Sequence, residues 1–178
     1  MSGRVKLLAR VAVFSALVFA SCYAAVFLPN VNPCFFVVFT AGFLWGVWPG
    51  MTVGVVGFFL WSVFNPYGPV VLPLLVSQLV GISFSGIIGA VAARIMIPLR
   101  WGYRASTTLI FSGLICGLLY HLVVDVVDAL IYQPFWPRLA GGAVFSLITV
   151  GSNAIIFPLF YTALAFLKEK ESQQVTGL

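Results

Sequence analysis

Charge is what this sequence has least of. Only 7% of its 178 residues are Asp, Glu, Lys or Arg, against roughly a quarter in a soluble domain. That scarcity excludes an ordinary globular domain. It equally excludes a disordered chain, which needs low hydrophobicity and high charge. The net charge of +5 comes from nine scattered Lys and Arg residues that form no dense patch, so a nucleic-acid partner is not expected. Lysine occurs only at Lys6, Lys168 and Lys170. None completes a G-x-x-x-x-G-K-S/T loop, which rules out a Walker-type ATP site. A single histidine, His121, rules out an H-E-x-x-H zinc site. A Ser–His dyad is formally available. The nearest serine stretch, Gly81-Ile82-Ser83-Phe84-Ser85-Gly86, does not match the Gly-x-Ser-Gly pattern of intramembrane serine proteases, so no enzyme is expected. The three cysteines, Cys22, Cys34 and Cys116, are odd in number and lack short spacing. They read as small apolar fillers, and neither metal nor cofactor is expected.

What is abundant is apolar. Hydrophobic residues make up 62% and aromatics 16%, with a mean hydropathy of +1.12. A helical span needs about 20 mostly apolar residues, so a chain of this length holds about six with their turns. The expected fold is all-α: a polytopic membrane protein, six transmembrane helices in one compact bundle over residues 1–178. Turn residues place the spans at 5–28, 33–47, 50–64, 69–97, 106–132 and 139–167. Pro29-Asn30, Trp48-Pro49-Gly50 and Asn65-Pro66-Tyr67-Gly68 mark breaks, and Pro158 marks a kink. The second and third spans, at about 22 Å each, fall short of the hydrocarbon thickness. The first 25 residues share the order of a signal peptide, with Ser21-Cys22 at its end. The apolar run continues to Leu28, however, and Phe19 suits processing poorly, so cleavage is not expected.

Basic residues orient the bundle. Arg4, Lys6 and Arg10, then Arg94, Arg100 and Arg104, then Lys168 and Lys170 fall on one side, and only Arg138 on the other. The positive-inside rule therefore puts both termini in the cytoplasm.

The polar residues at membrane depth carry the functional signal. A centrally placed Asp costs about 2.5–3.5 kcal/mol on insertion scales and tends to mark a cavity or pathway. His121, Asp125 and Asp128 are spaced four and three apart, so they share one face of the fifth span. They form either a ligand site or a structural clamp, His121 with Asp125 or Asp128 with Arg138. At the same outer level stand Asn30, Asn32, Asn65, Tyr67, Gln78, Trp136 and Arg138, with Asn153 nearer the middle of the sixth span. Asn65 also reads as turn chemistry, and Trp136 as an interface anchor. The candidate binding set is Asn32, Asn65, Tyr67, Gln78, His121, Asp125, Asp128, Trp136, Arg138 and Asn153. Its one-sided depth points to an outward-opening pocket rather than a pore. Ala12, Ala16, Ala20 and Ala24 recur every four residues along the first span. Such a stripe admits close approach of another helix, either within the bundle or from another subunit.

Six spans with both ends inside, no ATPase motif, the alanine stripe, glycine-rich second and third spans and Asn65-Pro66-Tyr67-Gly68-Pro69 together resemble the substrate-binding S component of an energy-coupling factor (ECF) vitamin transporter. The resemblance covers about residues 7–167. It implies a vitamin bound in an outward-facing pocket made by the first outer loop and the outer parts of spans four to six. It implies partners too: a transmembrane coupling subunit docked on the alanine stripe, and two cytoplasmic ATPases. It further implies toppling of the whole S component to release substrate inside. Two carboxylates and a histidine favour a cationic or amine-bearing vitamin such as thiamine. If Arg138 or backbone satisfies the carboxylates, riboflavin or cobalamin is equally open. The competing readings are a structural membrane scaffold with no ligand and a small channel.

Overall fold

The computed structural model describes residues 3–96 and 102–176, with side chains through residue 173. Arg100 and the expected end of the fourth span at residue 97 lie outside the described residues. Among these residues the chain forms seven helices: α1 (Gly3–Ala24), α2 (Cys34–Trp45), α3 (Val47–Phe64), α4 (Leu72–Met96), α5 (Tyr103–Ile131), α6 (Phe135–Leu159) and α7 (Tyr161–Thr176). Five of them, α1 and α3 to α6, are long and apolar enough to cross a membrane.

The second expected span contracts to the 12 residues of α2, about 18 Å. Cys34 to Phe43 are all buried. A helix apolar all round belongs in a core, and α2 is sheathed by its neighbours along most of its length. The break after it is not at Trp48-Pro49-Gly50, as those turn residues suggest, but at Gly46. That residue has φ +93°, a conformation open mainly to glycine. Trp48, Pro49 and Gly50 instead form the first turn of α3. Proline fits there because its missing N–H would have had no helical partner.

The bundle closes through glycine. α4 packs on α2, α3 and α5, while α5 packs on α6 and α1 on α3. A Cβ added at Gly42 of α2 would lie 2.0 Å from the carbonyl oxygen of Gly86 in α4. One added at Gly50 of α3 would lie 2.6 Å from the Cα of Gly42. Three backbones therefore meet with no side chain between them, the close approach that small residues permit. A phenylalanine cluster of Phe35, Phe36, Phe39, Phe43 and Phe157 fills the core around this point.

The sixth expected span, 139–167, is two helices. α6 starts earlier, at Phe135, and ends directly after Pro158; Phe160 separates it from α7. α7 returns to the bundle through buried Leu164. Its Glu171 pairs with Arg10 of α1 at 2.8 Å, so the first and last helices meet at one end of the bundle.

Candidate functional site

A cavity of about 420 Å3 opens at the other end, where α1 and α3 finish and α2 and α4 begin. Its size suits a small organic ligand. The loop after α1 supplies much of its wall, including Val26, Asn30 and Asn32. Phe35 enters from α2, Phe58 and Trp61 from α3, Gln78 from α4, and Tyr120, His121 and Val124 from α5. From α6 only Thr149 reaches it. The first loop thus belongs to the wall; beyond the expected spans four to six, α3 adds two residues and α1 and α2 one each.

Tyr120 anchors the aromatic wall. Its ring meets Phe35 edge to face at 5.1 Å, Phe58 at 5.7 Å and His121 at 5.3 Å. These are favoured geometries for quadrupolar rings, and they hold the wall in one arrangement. Trp61 is braced by Tyr23 at 5.4 Å. Across the mouth, the Tyr67 hydroxyl donates to the Val26 carbonyl at 3.1 Å, tying the α3–α4 turn to the first loop. Ser152 of α6 donates to the Asn30 carbonyl at 3.4 Å.

The candidate residues separate into three groups. Asn32, Tyr67, Gln78 and His121 line the cavity. Asn32 also shapes the chain: its Oδ1 accepts from the Cys34 N–H at 3.1 Å, where α2 begins. Gln78 Oε1 accepts from Ser62 at 2.8 Å, which leaves its NH2 hydrogens as donors. Asp125, Asp128 and Arg138 line a second cavity, of about 500 Å3, between α5 and α6. His121 Nδ1 lies 3.1 Å from Asp125 Oδ1, Ser146 donates to Asp125 Oδ2, and Arg138 clasps both oxygens of Asp128 at 2.6 and 3.2 Å.

Asn65, Trp136 and Asn153 line neither cavity. Asn65 closes its own turn, accepting from the Tyr67 N–H and donating to the Ser62 and Gly68 carbonyls. Trp136 is 75% exposed and stacks edge to face on Phe135. Asn153 is fully buried between α5 and α6, and neither of its side-chain amide atoms has a hydrogen-bond partner among the described residues. Its carbonyl oxygen would lie 2.5 Å from a Cβ at Gly113.

Phe35, Phe58, Trp61, Tyr120 and Thr149 are wall residues that sequence reasoning did not single out. Local signals existed for two: Tyr120 adjoins His121, and Trp61 lies one turn before Asn65. The four alanines of α1 are all exposed, while Ser15, Val18 and Cys22 on its other face are buried.

The arrangement can enclose a flat, uncharged, hydrogen-bonding molecule against aromatic rings. Neither a curated protein nor a solved structure matches the chain. A family model does match residues 3–166, and its description is the S component of ECF-type riboflavin transporters. Over nine-tenths of its length, then, the chain belongs to the ECF-type riboflavin transporter S component family, membrane-embedded subunits that bind a vitamin for uptake and are not enzymes.

Proposed function

We propose that this chain captures riboflavin. The observation that carries the reading is the wall of the first cavity: aromatic Phe35, Phe58, Trp61, Tyr67 and Tyr120, with neutral Asn30, Asn32 and Gln78, and no carboxylate. Riboflavin's flat tricyclic head offers a large aromatic face and a polar, uracil-like edge. Rings supply stacking area for the face, and amides supply both donors and acceptors for the edge. A cationic vitamin finds less support. Asp128 is held by Arg138, and Asp125 lines the α5–α6 cleft and not the aromatic cavity, so neither carboxylate offers a counter-charge beside the aromatic wall.

In this reading the cavity faces outward, both termini are cytoplasmic, and α2 with the five long helices makes six membrane-embedded helices. The membrane is the bacterial or archaeal cytoplasmic membrane. Exposed Ala12, Ala16, Ala20 and Ala24 form the face that docks on a transmembrane coupling subunit, which carries two cytoplasmic ATPases. Their exposure supports this, since the four alanines lie off the face of α1 that is buried through Ser15, Val18 and Cys22. Candidate contacts to the vitamin are Asn32, Tyr67, Gln78 and His121.

The test is a titration of purified, ligand-stripped protein with riboflavin, thiamine and cobalamin, followed by flavin and tryptophan fluorescence and by thermal shift. Riboflavin should bind with a Kd below about 1 μM, worth roughly 8 kcal/mol, and thiamine should not compete. Stabilisation by thiamine, or by no member of the panel, would sink the reading.

A further inference from the structure

The first cavity and the α5–α6 cleft are neighbours, with Asn30 and His121 lining both, so a ligand whose head fills the first brings its tail to the border of the second. The cleft has different chemistry. Its wall presents two carboxylates and one guanidinium. The guanidinium of Arg138 already gives Nε and Nη2 to Asp128. Among the described residues, Asp125 has the His121 ring and the Ser146 hydroxyl as its partners. A carboxylate oxygen can accept more than one hydrogen bond, so acceptor capacity remains at Asp125. Small residues Gly141 and Gly142 leave room beside it; a Cβ at Gly142 would lie 3.6 Å from the Asp125 carboxyl carbon.

Such a wall accepts hydrogens from hydroxyl groups and repels anions. We propose, on the reading that a flavin head occupies the first cavity, that Asp125 is a specificity-determining residue. The cleft takes an uncharged polyhydroxyl tail and rejects the same tail ending in a phosphate ester. At an effective dielectric near 20, one negative charge about 6 Å from another weakens binding roughly 100-fold. Arg138 offsets little of this, because its charge is already neutralised by the two-point, charge-assisted pairing with Asp128.

The full chain in detergent is titrated with riboflavin and with riboflavin 5′-phosphate, and the ratio of the two Kd values is read. Wild type should favour riboflavin by about 30-fold or more. Asp125→Asn should shrink the ratio about tenfold. Ser146→Ala, which removes a hydrogen bond to Asp125 but keeps its charge, should preserve the ratio. Phe145→Lys adds a cation to the cleft wall without touching the Asp125 contacts, and should also shrink it. That variant carries the test if Asp125→Asn does not fold.

Equal affinity of wild type for both ligands would overturn the proposal. So would a ratio unmoved by Asp125→Asn or Phe145→Lys, or a ratio lost equally in Ser146→Ala. No riboflavin binding by wild type would instead overturn the functional reading beneath it.

Discussion

Tyr120 and Asn153 show how differently two buried polar side chains can serve. Tyr120 touches three rings and faces the cavity. Removing its ring takes away one stacking face and loosens Phe35 and Phe58. Stacking on an aromatic side chain is worth about 1–3 kcal/mol per base-sized ring. Tyr120→Leu should therefore raise the riboflavin Kd by about 10- to 100-fold in a fluorescence titration. An unchanged Kd would remove Tyr120 from the site. Asn153 sits off the cavity with both amide atoms unpartnered. Replacing a buried, unpaired amide by an apolar group of similar shape is neutral or stabilising. Asn153→Leu should leave the melting temperature unchanged or higher, with the riboflavin Kd within twofold; loss of binding would return Asn153 to the site. At this scale polar identity was legible. Spacing alone put His121 and Asp125 on one face, and they meet at 3.1 Å. Phe35 and Phe58 were not legible as wall residues. In a chain that is 16% aromatic, nothing local separates a ring that lines a cavity from one that fills a core or meets lipid.

The helices owe their arrangement to glycines that look alike in the sequence and do different work. Gly42, Gly50 and Gly86 are contact points where three backbones touch, whereas Gly46 is a turn with open space around it. Gly86→Ala would drive a methyl to 2.5 Å from the Gly50 carbonyl carbon. Backbone cannot yield as a flexible side chain can, so α2, α3 and α4 must separate. The cost should exceed the roughly 1–3 kcal/mol of ordinary overpacking, seen as a large fall in melting temperature or in yield of folded protein. Gly46→Ala meets no atom, and its penalty is backbone strain alone: φ +93° with ψ −178° is a region essentially reserved for glycine, at about 1–3 kcal/mol. A melting temperature lowered more by Gly46→Ala than by Gly86→Ala would contradict this ranking. The α2–α3 boundary was misread from sequence for the same reason. Pro49 signals an end of structure in either direction, and only the fold puts it in the first turn of α3. Pro158 marks a kink in the sequence, but the chain breaks just after it into α6 and α7 instead of bending through one helix.

For the molecule as a whole, α1 is the element with two destinations. Ser15 and Val18 pack on α3 at Gly57, where an added Cβ would lie 2.7 Å from the Ser15 carbonyl oxygen. Its alanines face out. A bulky residue there should leave the cavity intact and block only what approaches from outside. Ala16→Trp is expected to keep the riboflavin Kd within twofold. Riboflavin uptake by cells that also carry the coupling subunit and ATPases should fall at least tenfold, with loss of co-purification. Uptake at the wild-type rate would show that the stripe is not the docking face.

By itself the sequence determined the solvent this protein lives in. Apolar excess and scarcity of charge are sums over the chain and need no contacts. It determined most helices too, since apolar run length and turn residues are local. It also narrowed the ionisable cluster to one face of α5, because helical spacing is fixed at 3.6 residues per turn. Only the tertiary structure decided whether that cluster was free. Asp128 finds Arg138 across the α5–α6 turn, and Asp125 finds Ser146, 21 residues on, in α6. Pairings between helices depend on how backbones approach, and that approach is set by the glycine contacts. The same packing assembled an aromatic wall from α2, α3 and α5, so the first cavity exists only once the helices have met.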